Sequence, residues 1–261
     1  MKINFCKYNG AGNDFIVVDN RNKKVKLNKS QILKLCNRNV GIGADGVISL
    51  ESSNKTDFEI LHYTSDGTLG SLCGNGSRCA VSFAHRKKII RRKTRFEAFD
   101  GSHEAEIIDD ELIIMQMKLN SKIIENDYGV WLDTGSPHLI VETNNTDEMD
   151  VKSAGRSIRY NNFYREEGVN VNFVEKISDD HFKIRTYERG VENETLACGT
   201  GSTASAICMN FLGKTNSSNI TMQCKGGDLN VQFNSCEKGY KEISITGPAK
   251  LVFEGFIEVK I

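Results

Sequence analysis

The chain carries one short pattern twice, a cysteine followed by glycine, a polar residue, a second glycine and serine. The two copies are Cys73–Ser77 and Cys198–Ser202. Their glycines let backbone N–H groups approach a ligand closely, and residues of helical spacing follow each copy. A helix that begins there directs free N–H groups and its positive dipole end outward, which binds carboxylates and favours a thiolate. Two matched copies predict two similar halves, each with a reactive thiol at the start of a buried helix.

Composition limits the classes of partner. The 261 residues can form one large domain or two small ones, and the 34 basic residues balance the 34 acidic ones. This balance gives no reason to expect nucleic acid or an anionic membrane as a partner. Residues 1–19 lack the pattern of a signal peptide, and no apolar run reaches the roughly 20 residues of a membrane span. We therefore expect a cytoplasmic protein, where thiols stay reduced.

The other candidate motifs point away from metals and nucleotides. The eight cysteines include no C-x-x-C pair, and the five histidines form no H-E-x-x-H pattern, so no metal site is expected. The two glycine motifs fit neither a P-loop nor a dinucleotide-binding loop. The Lys- and Arg-rich run 86–95 could touch nucleic acid, but it lacks interleaved aromatic residues and is interpreted as a solvated surface patch.

Strand patterns dominate, and helices interrupt them twice in the same order, which indicates an α+β fold. Helices are predicted at 30–37, 76–85, 150–160 and 201–211, with Asn28 and Asp150 as N-caps. Strands are predicted at 4–8, 14–19, 46–50, 58–64, 94–99, 103–108, 112–118, 130–133, 138–142, 171–177, 181–188, 220–224, 229–233, 242–246 and 252–259.

The chain is expected to divide near 119–129, where strand patterns give way to polar residues. This predicts an N-terminal lobe at 1–119 and a C-terminal lobe at 120–249. The closing strand within 250–261 is assigned to the N-terminal lobe, although its pattern would allow either half.

Several polar residues lie in predicted loops or at strand ends. Each alone is typical of a turn, a cap or a solvated ion pair. Arg189 could hold a carboxylate with two hydrogen bonds, and Glu188 could take an ammonium group, so together they would suit a zwitterionic amino acid. The others are Asn13, Ser136, His138 and Asn170.

These residues together resemble the diaminopimelate epimerase family. The motifs follow the order of that family from residue 7 to about residue 257, nearly the whole chain. The segments that carry the resemblance are 7–15, 73–78, 136–138, 170–173 and 187–201.

The resemblance implies two similar lobes, each a mixed sheet or barrel curled around a central helix, with the active site in the cleft between them. It implies interconversion of LL- and meso-diaminopimelate in lysine biosynthesis. The proton would be exchanged at one α-carbon by a thiolate and a thiol, without pyridoxal phosphate or another cofactor. The family tends to form dimers, although nothing in the residues themselves requires a second copy.

The resemblance also assigns roles to individual residues. Cys73 and Cys198 match the two acid/base thiols. The family often has glutamine where Gly46 stands and asparagine where Thr64 and Ser136 stand. The positions that match substrate-binding residues are Asn13, Thr64, Gly74, Asn75, Ser136, His138, Asn170, Glu188, Arg189, Gly199 and Thr200.

Two alternative functions stay open at this point. One is another cofactor-independent racemase or epimerase of the same fold, acting on proline or hydroxyproline. The other is an amino-acid-binding relative without catalysis. The charged pair Glu188–Arg189 favours a substrate with a second charged end, and the presence of both thiols argues against a protein that only binds.

Overall fold

The computed structural model describes residues 1–70, 72–237 and 239–259. Its residues form two compact units, one of 1–115 together with the segment from 247 onward, and the other of 116–246. The sequence places these divisions at 119/120 and 249/250, a few residues later in each case.

The elements alternate strands and helices in a repeated order. In chain order they are β1 (Lys2–Gly10), β2 (Asn13–Asp19), α1 (Lys29–Cys36), β3 (Gly46–Glu51), β4 (Phe58–Thr64), α2 (Gly74–Arg86), β5 (Lys93–Ala98), β6 (Gly101–Ile107), β7 (Leu112–Gln116), β8 (Ile124–Asn126), β9 (Gly129–Asp133), β10 (Pro137–Glu142), α3 (Val151–Arg159), β11 (Asn170–Lys176), β12 (His181–Glu188), β13 (Asn193–Thr195), α4 (Gly199–Phe211), β14 (Asn219–Cys224), β15 (Gly227–Cys236), β16 (Gly239–Pro248) and β17 (Lys250–Glu258).

The strand pairing is the same in both units. In the first, β17–β1 and β1–β2 are antiparallel, β2–β3 is parallel, β3–β4 antiparallel, β4–β5 parallel, and β5–β6 and β6–β7 antiparallel. In the second, β8–β9 and β9–β10 are antiparallel, β10–β11 parallel, β11–β12 antiparallel, β12–β14 parallel, and β14–β15 and β15–β16 antiparallel. The predicted α+β fold of two similar lobes is therefore confirmed.

Each unit has one helix that is buried almost throughout. All residues of α2 from Gly74 to Ala84 are buried, and so are nearly all residues of α4 up to Met209. Small side chains make this possible, because a helix of glycine, alanine, serine and cysteine can lie close to the surrounding strands. The other two helices, α1 and α3, each bury only one side.

The predicted helix caps are confirmed. Asn28 forms a capping box at α1, in which its side chain accepts from the N–H of Gln31 at 3.0 Å and the Gln31 side chain accepts from its N–H at 2.9 Å. Asp150 accepts from the N–H of Ser153 at 3.1 Å at the start of α3.

Two short strands of the structure are not among the predicted strands. β8 lies in the stretch assigned to the boundary between lobes, and β13 precedes the second cysteine motif. Each has only three residues, so neither shows the alternation that identifies a longer strand. Their antiparallel partners, β9 and β12, determine their conformation instead.

The Lys- and Arg-rich run 86–95 lies on the surface. All of its basic side chains belong to exposed residues. Arg92 donates to the carbonyls of Ile107 and Ile108, and Lys93 pairs with Glu106 at 3.5 Å. No helix in the described part of the chain is long and apolar enough to span a bilayer.

Helix α3 packs so closely on β12 that Gly155 has no space for a side chain. A Cβ there would lie 2.3 Å from the Cβ of Tyr187, which is fully buried. We expect Gly155→Ala to lower the free energy of unfolding by about 1–3 kcal/mol, because overpacking outweighs the better helix propensity of alanine. Urea unfolding followed by the fluorescence of the single tryptophan, Trp131, measures this.

The matched control is Ser157→Ala at an exposed position of the same helix. Surface changes of this kind stay within about 0.5 kcal/mol. Equal stability of Gly155→Ala and the wild type would contradict the close packing of α3 on Tyr187.

Candidate active site

The first thiol caps the buried helix of the first unit. Cys73 is the N-cap of α2, and its Sγ accepts from the N–H of Gly76 at 3.5 Å. The helix therefore begins at Gly74, two residues before the predicted start, because the cysteine itself takes the capping position usual for serine or aspartate. The Sγ of Cys73 also donates to the Oδ1 of Asn13, 3.6 Å away at the start of β2.

An ion network fixes the position of Asn13. Its Nδ2 donates to the carboxylate of Asp45 at 2.6 Å. The neighbouring Asp14 receives the buried ammonium of Lys7 at 2.7 Å and two hydrogen bonds from Arg38, at 2.7 and 2.9 Å. Asp14 is partly desolvated, but these hydrogen bonds and the charge of Lys7 hold its pKa well below its usual range. The position of Asn13 beside the thiol is therefore fixed by ionised side chains.

The second thiol occupies the equivalent position in the second unit. Cys198 is the N-cap of α4, and its Sγ accepts from the N–H of Gly201 at 3.4 Å. Its other neighbour differs from that of Cys73, because the hydroxyl of Thr200 lies 3.4 Å from the sulfur. Thr200 is itself 2.9 Å from the Nε2 of His138.

His138 is fully buried at the start of β10. Burial, followed by the charge of Arg189, lowers its pKa to about 3, so the ring is neutral at physiological pH. The Nδ2 of Asn172 lies 3.1 Å from His138 Nδ1 and donates to the carbonyl of Leu139 at 3.2 Å. The Oδ1 of Asn172 accepts from the hydroxyl of Thr186 at 2.9 Å.

Four further predicted residues lie at the starts of β10 and β11 and at the end of β12. Asn170 donates to the hydroxyl of Ser136 at 2.9 Å and accepts from the backbone N–H of Arg189 at 2.9 Å. The guanidinium of Arg189 donates to the carbonyl of Glu167 at 2.8 Å. Glu188 accepts from the hydroxyl of Thr195 at 3.0 Å, and burial raises the pKa of Glu188.

Two of the positions that depart from the family pattern have their own neighbours in the first unit. A Cβ on Gly46 would lie 2.6 Å from the carbonyl oxygen of Tyr63 and 3.0 Å from Nε2 of His62, so this backbone tolerates only glycine. The hydroxyl of Thr64 donates to Asp66 at 2.5 Å within the following turn. The ring of His62 packs edge-on against Phe15, with ring centroids 5.7 Å apart.

A cavity of about 240 Å³ lies beside Cys73 in the first unit. Its lining combines the start of α2 with His62 and the apolar side chains of Leu69, Leu72 and Phe99. Asn75 faces away from solvent, where its Oδ1 accepts from Arg78 at 2.6 Å, and both residues are buried. Gly74, Gly199 and Thr200 lie in the first turns of their helices, as the motif predicts.

The sequence prediction missed the residues that hold the predicted site residues in place. In the first unit these are the ion partners of Asn13 and Asp14. In the second unit Asn172 was missed, although strand alternation places it on the same face of β11 as Asn170, and this signal could have identified it. Among the described residues, no group of three or more His, Cys, Asp or Glu is arranged to hold a metal ion.

The fold is that of a class of solved proteins built from two such units. The chain matches a Bacillus anthracis phenazine biosynthesis protein of the PhzF family, with a TM-score of 0.77 at 15% identity, over 99% of this chain and 100% of that one. It also matches a probable proline racemase from Agrobacterium radiobacter K84, with a TM-score of 0.67 at 14% identity, over 99% and 93% of the two chains. At these identities the likeness concerns the fold alone.

Sequence comparison gives the particular family. The family model for diaminopimelate epimerase matches residues 5–122 and 130–252. A diaminopimelate epimerase of Flavobacterium psychrophilum is 50% identical over 95% of this chain and 97% of its own length. One of Chlorobaculum tepidum is 44% identical over 95% and 98%. The chain belongs to the diaminopimelate epimerase family, which confirms the family resemblance of its motifs.

Proposed function

We propose that this protein is an isomerase that interconverts LL- and meso-diaminopimelate in lysine biosynthesis. Family membership supports the substrate and the reaction. The observation that carries the proposal is the matched pair of thiols, because Cys73 and Cys198 each cap a buried helix and each accept a backbone N–H on sulfur. This environment favours a thiolate without requiring a cofactor.

The chemical step would use one thiol as base and the other as acid. A thiolate removes the α-proton, so that the C–H bond breaks, an S–H bond forms and the electron pair delocalises into the α-carboxylate. The other thiol then gives its proton to the opposite face of the carbon and becomes the thiolate. The two protonation states are thereby exchanged, and the reverse reaction uses the same groups in exchanged roles.

The α-proton is only weakly acidic, so the transition state needs strong stabilisation. We assign this role to the N–H groups at the starts of α2 and α4, including those of Gly74, Asn75, Gly199 and Thr200. A helix N-terminus carries partial positive charge and free donors, which match the charge that develops on the carboxylate. Such donors act most strongly where water is excluded.

The remaining residues are proposed to hold the substrate. Arg189 would leave the carbonyl of Glu167 to bind a carboxylate, and Glu188 would bind an ammonium group. That ammonium would favour the ionised form of a carboxyl whose pKa burial raises. The other proposed substrate-binding side chains are Asn13, Thr64, Ser136, His138 and Asn170.

We also infer a cytoplasmic location and carry over the homodimer from the family. The cytoplasmic location is supported by the family's biosynthetic role and by the buried thiols of Cys79 and Cys208. Burial raises the pKa of both, so they serve as small apolar side chains.

Turnover of LL-diaminopimelate in deuterated water tests the function directly. Each inverted α-carbon should carry one deuterium from the solvent, because the acid that protonates the carbanion-like intermediate exchanges with water. Mass spectrometry of the separated stereoisomers measures this. L-Proline and trans-4-hydroxy-L-proline, assayed in parallel, should take up none.

Two results would contradict the proposal in different ways. Uptake of deuterium by a proline compound but not by diaminopimelate would identify a different racemase of this fold. Binding of diaminopimelate without any α-deuterium would identify a protein that only binds.

A further inference from the structure

We propose that the first unit carries a second binding site, for a small aliphatic molecule with an ammonium group at one end and a carboxylate at the other. The site is a cavity of about 400 Å³, which is a usual size for a ligand pocket. We call it the outer cavity, because it lies on the face of β2, β3 and β4 that points away from the buried helix α2. Binding there is independent of the chemistry at the two thiols.

The alternation of side chains along β3 separates the outer cavity from the active site. Ile48 points toward α2, since its Cδ1 would lie 3.0 Å from a Cβ on Gly76. Successive side chains of a strand point to opposite faces, so Ser49 is on the other side of the sheet. Val18 on β2 and Leu61 on β4 pair with Ser49 and line the same cavity. A ligand in the outer cavity therefore lies across the sheet from the first thiol.

Two carboxylates face each other on the wall of the outer cavity. Glu51 on β3 and Glu59 on β4 are directly opposite in the antiparallel pair, and both line the cavity. Glu51 is only 8% exposed. Its Oε1 accepts from the hydroxyl of Ser49 at 2.5 Å and from the amide of Asn20 at 2.7 Å, whereas its Oε2 accepts from no residue that the structure describes. The cavity therefore presents a buried acceptor oxygen that lacks a donor.

This pair of carboxylates is suited to an organic cation. Like charges directly opposite each other destabilise a sheet, and no Lys or Arg of the described ranges forms an ion pair with Glu51 or Glu59. A metal ion such as calcium would need more ligands, and no third His, Cys, Asp or Glu completes a metal-binding group there among the residues described. An ammonium group is the cation that fits, because it can donate to both carboxylates without further ligands.

The rest of the outer cavity fits an aliphatic chain and a carboxylate. Lys23 and Lys26 line the cavity and are exposed, so their ammonium groups can meet a carboxylate at its open side. Neither lysine forms an ion pair within residues 1–70, 72–237 and 239–259. The apolar side chains that line the cavity are those of Val18, Val25, Leu27, Val47 and Leu61.

The segment that carries both lysines is held in place by hydrogen bonds. The side chain of Asn20 accepts from the N–H of Val25 at 2.7 Å and donates to the carbonyl of Val25 at 2.8 Å. The N–H of Lys23 donates to the carbonyl of Asn20 at 2.7 Å. The outer cavity is therefore formed before a ligand binds, which lowers the entropic cost of binding.

Titration with 6-aminohexanoate, which carries both charges on an aliphatic chain, tests the site on the intact protein. Calorimetry should show saturable binding of this probe, about threefold weaker binding of n-pentylamine and none of hexanoate, since the carboxylate adds only an exposed ion pair. In protein labelled at its valine and leucine methyl groups, NMR should show shifted resonances at Val18, Val47 and Leu61. Arg189→Gln should bind the probe as the wild type does, which distinguishes the outer cavity from the active site.

Removal of one carboxylate at a time identifies the groups that bind the ammonium. Glu51→Gln should weaken the binding of 6-aminohexanoate about tenfold, because it keeps one oxygen for Asn20 and Ser49 but removes the charge. Glu59→Gln should weaken it in the same direction, and it breaks no hydrogen bond of the described residues. The matched control is Glu104→Gln, which removes the same charge at an exposed position of β6 and should bind as the wild type does.

The lysines are tested separately from the carboxylates. Lys26→Gln should weaken the binding of 6-aminohexanoate about threefold and leave that of n-pentylamine unchanged. Lys24→Gln is the matched control, because Lys24 is exposed on the same segment but does not line the cavity.

The outcomes are distinct from those of the deuterium assay. The inference would be overturned by a wild type without saturable binding of 6-aminohexanoate, by unchanged affinity in both glutamate variants, or by methyl shifts that disappear in Arg189→Gln. Binding as predicted in a protein that incorporates no α-deuterium would support the outer cavity and reject the proposed reaction. Turnover of diaminopimelate without binding at the outer cavity would do the reverse.

Discussion

Cys73→Ala and Cys198→Ala are each expected to lower kcat for epimerisation by about 10³-fold in both directions. A positioned acid or base contributes roughly 10²–10⁴-fold, and inversion requires both groups in one turnover. The loss should be symmetric, because each thiol is the base in one direction and the acid in the other. The rates of meso formation from LL-diaminopimelate and of the reverse reaction measure it.

Cys236→Ala is the matched control, since Cys236 is an exposed cysteine outside both motifs. It should retain the wild-type rate in both directions. Circular dichroism of the two site variants should equal that of the wild type, because both cysteines are only partly buried caps. Near-normal turnover by either site variant would exclude a two-thiol mechanism.

The thiols could be identified from sequence because the information is local. A cysteine, two glycines and a following helix lie within a few residues, and the chain repeats them. The same locality explains why Asn28 and Asp150 were recognisable as caps. The helix starts were set two residues late only because a cysteine is an unusual N-cap.

Residues that depend on tertiary contacts could not be found in this way. The ion network of Lys7, Asp14, Arg38 and Asp45 joins positions whose proximity arises only when β1, β2 and the loop after α1 come together. Strands β8 and β13 likewise depend on a partner strand rather than on their own three residues. Local chemistry can therefore be predicted from sequence, whereas supporting side chains that come from distant segments, such as those of the ion network, are identified only from the fold.

Protonation of His138 should have a large effect on the free energy of unfolding as the pH is lowered. Its folded-state pKa is lowered to about 3, against about 6.5 for a histidine in an unfolded chain. Between these values the unfolded chain binds a proton that the folded chain does not, so lowering the pH favours unfolding. The stability is fully present above pH 6.5 and falls by up to about 1.4 kcal/mol for each pH unit below it.

The comparison of wild type with His138→Gln isolates this effect. Glutamine keeps polar atoms near Thr200 and Asn172 but cannot titrate, so it lowers stability by an amount that does not follow the histidine's titration. From pH 7 to pH 4.5 the free energy of unfolding of the wild type should fall by about 2.5 kcal/mol more than that of the variant. Other titrating groups, such as Glu188 with its raised pKa, are common to both proteins and cancel in the difference.

Trp131 makes the measurement specific to the second unit. It is the single tryptophan, and it pairs with Leu139 on β10, the strand that contains His138. Asp14, whose pKa lies below its usual range, loses its stabilising ionisation only as the pH falls below about 4, outside the chosen window. Parallel pH dependences in the two proteins would mean that His138 accepts a proton in the folded state. In that case both ring nitrogens would be donors, and Nδ1 could not accept a hydrogen bond from Asn172.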